Sequence, residues 1–182
     1  MTNVLFFLSK CNLYAPDGFK GGQGSKDEDG DTDDDEEIGE TEEPDRIRYK
    51  ETLATVGALG RLAAGHVVPL LTSLLEGRIS RLHGQINRLV GQGSRDMDRA
   101  LSNLYDDLHW ILLVAGNVLT LDTDGEPSLI PSEIMKFSLD QAPSVNVEAS
   151  LRVLASPEQN ATDVPGHEST DKVVRLISAV FR

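Results

Sequence analysis

The stretch Ala100–Met135, ALSNLYDDLHWILLVAGNVLTLDTDGEPSLIPSEIM, decides how this chain folds. Leu101, Leu104, Leu108, Ile111, Leu112, Ala115, Val118 and Leu119 recur at three- and four-residue steps on one broad face, which predicts an amphipathic helix from about Asp96 to Leu121. Asp106, Asp107 and Asn117 sit among them at other angles, and the only Trp of the chain, Trp110, lies within the helix. A polar turn with Asp124-Gly125 follows, and Pro131 opens a short helix to Phe137. No catalytic motif requires that arrangement. It is one unit of a helical scaffold, and it directs the search for function towards surfaces and partners.

The same pattern continues on both sides. Upstream, Leu53, Val56, Leu59, Leu62 and Ala63 predict a first amphipathic helix from Arg46 to about Gly65. Pro69 is placed at or near the start of a second helix, where a missing N–H costs little. Along that helix Leu71, Leu74, Leu75, Ile79, Leu82, Ile86 and Leu89 form a stripe opposite Arg78, Arg81, Gln85 and Arg88, and Gly91-Gln92-Gly93-Ser94 ends it. Downstream, Val145–Leu154 reads as a short helix and Thr170–Arg182 as a last one, with Asp171 near its cap. Helices in succession, short connections and no alternating strands predict an all-α chain. The expected architecture is a HEAT-type α-solenoid of antiparallel helix pairs, each roughly 40 residues. The last helix reaches Phe181-Arg182 with no Gly, Pro or polar tail, so the expectation is a piece of a longer solenoid whose apolar faces lack their neighbours.

Composition agrees with helices: 39% of residues are hydrophobic but only 5% aromatic. The net charge of −13 belongs to one segment. Thirteen acids and no Lys or Arg lie between Asp27 and Asp45, and the remaining seventeen acids match the seventeen basic residues elsewhere. Residues 21–45 combine Gly with this run and almost nothing apolar, so they are read as a disordered acidic loop. Residues 1–20 read as the end of a preceding helix, Val4–Leu13, with an Ala-Pro-Asp-Gly turn, and residues 46–182 as the HEAT-like repeats. Nothing is basic enough to track a phosphate backbone, so no direct nucleic-acid binding is expected. The N-terminal apolar run is too short for a secretory signal or a membrane span, and no membrane insertion is expected. A single Cys, Cys11, cannot form an internal disulfide, and a reducing compartment is the default expectation.

Candidate chemistry is sparse. Counting a calcium loop from Asp29 puts Glu40 at position twelve but Asp34 at position six, where the sharp turn needs Gly. Shifting the frame to use Gly30 leaves Ser25 as the first ligand. His66, His83, His109 and His167 show no metal-ligand spacing. His109 follows Asp106 and Asp107, an ordinary helix-surface arrangement. Leu71-Thr72-Ser73-Leu74-Leu75 fits the LxxLL pattern, but a leucine-striped helix generates it and burial is the expected reading. Asn160-Ala161-Thr162 matches a glycosylation sequon without other signs of secretion, and Thr32 lies among acids as a kinase-site pattern. No enzyme and no cofactor are expected.

Four longer stretches carry a resemblance. They are Glu51–Arg88 (ETLATVGALGRLAAGHVVPLLTSLLEGRISRLHGQINR), Leu101–Leu119, Thr123–Met135 and Thr170–Arg182 (TDKVVRLISAVFR). With Cys11–Gly18 (CNLYAPDG), they resemble, block by block, the middle of exportins, nuclear transport receptors of the importin-β superfamily. The resemblance covers most of residues 11–182 and is weakest over 19–45. It implies a HEAT-repeat superhelix that binds protein cargo together with Ran-GTP, meets nuclear pore proteins and shuttles between nucleus and cytoplasm. It also implies the hypusine-bearing translation factor 5A as a cargo. The repeats that form the family's main Ran-binding surface lie outside this portion, so no Ran contact is carried over. An acidic loop facing the concave side would meet basic patches on Ran or cargo, and Asp33, Asp34, Asp35, Glu36 and Glu37 are the candidate contacts. The reading from another class is a free-standing helical scaffold whose acidic segment binds basic proteins such as histones.

Overall fold

The computed structural model describes residues 44–89, 95–121, 129–156 and 160–182, and all the regular structure in them is helical. The helices are α1 (Asp45–Arg48), α2 (Lys50–Leu62), α3 (Ala64–Leu89), α4 (Arg95–Leu119), α5 (Ser132–Gln141), α6 (Val147–Ala155) and α7 (Lys172–Phe181). Short 3₁₀ turns at Ala142–Ser144, Ala161–Asp163 and His167–Ser169 link the last three. The chain is all-α. The one extended pairing among the described residues is an isolated antiparallel bridge between Leu121 and Leu129, with the Leu121 N–H donating to the Leu129 carbonyl at 3.0 Å. The expected helix at Val4–Leu13, the acidic run to Glu43 and the Asp124-Gly125 turn lie outside the described residues.

The first expected helix is in fact three pieces. Pro44, with φ −53°, fixes the entry to α1, and the helical part begins at Asp45. Tyr49 (φ −107°, ψ 18°) interrupts the helix before α2, and Ala63 (φ −112°, ψ 30°) ends it. At Ala63 the chain turns by 116° into α3. Pro69 is therefore inside α3 rather than at its start, because the helix already begins at Ala64. No single described helix is long and apolar enough to cross a membrane.

The stripe read from α2 also needs correction. Leu53 is buried, but Leu59 is 41% and Leu62 77% exposed. Three consecutive three-residue steps each fall short of a helical turn, so Leu62 lies about two and a half turns from Leu53, on the opposite side. The inward face is Leu53, Gly57 and Gly60. Glycine carries no hydropathy signal, which is why the leucines drew the eye instead.

The main core lies between α3, α4 and α7. Val67, Val68, Leu71, Leu75 and Ile79 of α3 pack with Ile111, Ala115 and Val118 of α4, Ile134 of α5, and Val173, Leu176 and Ala179 of α7. The α4 face agrees with its sequence pattern except at Leu112, which is 39% exposed. Leu71 and Leu75 are buried and Leu74 is half-buried against the same core, so the LxxLL leucines are structural. A smaller cluster of Val153, Ala161 and Val164 sits under the 3₁₀ turns.

Candidate interaction surfaces

At the N-termini of α6 and α7, side chains close backbone groups that would otherwise be orphaned. Asp171 is the N-cap of α7 and accepts from the Val173 and Val174 N–H groups at 2.7 and 3.1 Å. Its other carboxylate oxygen accepts from the Ser138 hydroxyl of α5 at 2.5 Å, and its own N–H donates to Ser150 Oγ of α6 at 3.1 Å. One buried Asp thus ties three helices together. Asn146 caps α6 through the Ala149 N–H at 3.0 Å. At the C-terminal end of α6, the Val153 carbonyl accepts from Ser178 Oγ at 2.9 Å and Arg182 at 3.3 Å.

Two ion pairs join α3 to its neighbours. Arg175 of α7 forms a two-pronged contact with Glu76 at 3.0 and 2.9 Å. Arg78 reaches Asp107 of α4 at 2.8 Å. Burial lowers the pKa of Arg182 from its ordinary value; nearby Glu76 opposes that shift and Arg175 adds to it. At the exposed start of α5 the Glu133 carboxyl is held below its usual range, first by its own backbone N–H and then by the Ser132 hydroxyl at 3.1 Å.

At α2 and α4 the helices cross closely. A Cβ on Gly57 would lie 2.8 Å from the Asn117 carbonyl carbon, and one on Gly60 would lie 2.7 Å from Val118 Cγ2. Arg61 donates to the Asn117 carbonyl at 2.5 Å, satisfying one of the last carbonyls of α4. Beside this crossing, α1 buries no residue of its own. Its links to α4 are Asp45, 3.0 Å from His109 Nε2, and the Tyr49 ring, edge-on to Trp110 at 5.3 Å. Asp45, the last acid of the acidic run, is thus seated against a histidine on α4.

The candidate contacts Asp33, Asp34, Asp35, Glu36 and Glu37 lie outside the described residues. His66 and His83 are exposed, and the described residues hold no group of three metal-binding side chains. What stands out on the described surface is apolar. On α6, Val147 and Leu151 are 68% and 60% exposed; Phe181 ends α7 at 71%, and Leu62, Ile130 and Leu139 are exposed as well. Such faces are suited to packing against other helices or protein partners. Sequence reasoning missed the glycine crossing and the Glu76–Arg175 pair; the three-residue spacing of Gly57 and Gly60 was the available signal for the first. No protein-family model matches the chain.

Proposed function

We propose that this chain is part of a nuclear export receptor of the exportin-4 type, a HEAT-type solenoid that carries protein cargo through the nuclear pore with Ran-GTP. The observation that carries this reading is a coincidence of two features. The specific blocks Leu101–Leu119 and Thr123–Met135 resemble that receptor, and the described residues are all-α, with α6 burying one apolar face while exposing another. A solenoid stacks helix pairs so that every internal helix is covered on more than one side. Cargo and Ran are then gripped by surfaces rather than by a catalytic pocket, and Asp33–Glu37 contribute negative charge towards basic patches on either. The proposed cargo class includes the hypusine-bearing translation factor 5A, and the receptor moves between nucleus and cytoplasm.

The test is binding by the product of the complete reading frame, immobilised and offered Ran locked in the GTP or the GDP form, with and without the hypusinated factor. The expected result is a complex that forms with Ran-GTP, is strengthened by cargo, and fails with Ran-GDP. Nucleotide-independent or absent Ran binding overturns the reading. The second reading, an acidic scaffold for basic proteins, is favoured by the confinement of thirteen acids to Asp27–Asp45. It gains if the same protein ignores Ran but binds histone tails in a salt-sensitive manner.

A further inference from the structure

We draw no further inference here: the strongest candidate, the exposed apolar face of α6 and α7 formed by Val147, Leu151, Leu154, Val180 and Phe181, carries nothing because nothing in the structure shows which segment or partner covers it.

Discussion

Replacing Gly57 by Ala tests whether α2 and α4 cross as closely as their glycines allow. The new methyl carbon would meet the Asn117 carbonyl carbon at 2.8 Å and its oxygen closer still, well inside the separation that real Cβ atoms keep. That carbonyl lies in the last turn of α4 and accepts from Arg61 at 2.5 Å, a contact that retreat would break. Overpacking of this kind costs about 1–3 kcal/mol. Ala also gains about 0.5–1 kcal/mol over Gly inside a helix, leaving a net loss of roughly 0–2.5 kcal/mol. Gly116, the residue before Asn117 in the same helix, is the control, because a Cβ there meets nothing within 4 Å. Gly116→Ala should therefore be stabilising by about 0.5–1 kcal/mol. The intrinsic helix gain cancels between the two substitutions, and their difference is the clash alone. Urea unfolding followed by far-UV circular dichroism reads both. At roughly 2–4 °C per kcal/mol for a chain of this size, the melting temperatures should separate by about 2–12 °C. A Gly57→Ala protein as stable as Gly116→Ala would refute the close crossing. Gly60→Ala should be milder, since its obstacle is a side-chain methyl of Val118, and Val118→Ala should relieve part of it.

Asp171→Ala removes the cap of α7 together with its link to Ser138, and should cost about 2 kcal/mol, the upper range for a lost cap; Asp171→Asn, which keeps a cap oxygen, should lose much less. Arg175→Lys cannot make both contacts to Glu76, so denaturant titration should show a loss of about 1.5 kcal/mol, the low end for charged hydrogen bonds because the side chains stay 26% and 23% exposed. Tyr49→Ala should change the near-ultraviolet dichroism and emission of Trp110, the only Trp, while costing about 0.5–1.5 kcal/mol for the lost aromatic contact; an unaltered Trp110 signal would detach α1 from α4. On the proposed transport reading, neutralising Asp33, Asp34, Asp35, Glu36 and Glu37 to Asn and Gln should weaken Ran- or cargo-dependent assembly, most at low salt. Equal affinity at every salt concentration would leave that run as a spacer.

Periodicity made α4 legible almost to the residue: the expected span Asp96–Leu121 is observed as Arg95–Leu119, and its buried positions Leu104, Ile111, Ala115 and Val118 are among those named from spacing. The cap at Asp171 was legible for a chemical reason, since an Asp ahead of an apolar run offers an oxygen to the first free N–H groups. Where reading failed, the deciding atoms belonged to another part of the chain. The three-residue spacing of Gly57 and Gly60 hints at a close approach but not at its partner, because the contact is a carbonyl sixty residues away. Pro69 illustrates the opposite weakness: treated as a start signal, it concealed that Ala64–Val68 were already helical. The candidate contacts fared differently, because an acidic run states its charge but not its address. Among the described residues Asp45 has an address, against His109.

The faces of α6 bring these threads to a functional point. Ala149, Ser150 and Val153 are buried towards α7, whereas Val147, Leu151 and Leu154 recur at four- and three-residue steps as a second, exposed apolar stripe. A helix on the surface of a finished globule has one apolar stripe and one polar face. With two apolar stripes, the nine-residue α6 buries one and leaves the other open for packing. The capping network argues that α6 is firmly placed, for Asn146 and Ser150 bind it to the segment leading into α7 through the Ser169 carbonyl and the Asp171 N–H. The exposed stripe is therefore displayed by a rigid support. A firmly held apolar stripe of this kind is a surface that a neighbouring helix or a protein partner would cover, which is what the proposed repeat architecture requires of it.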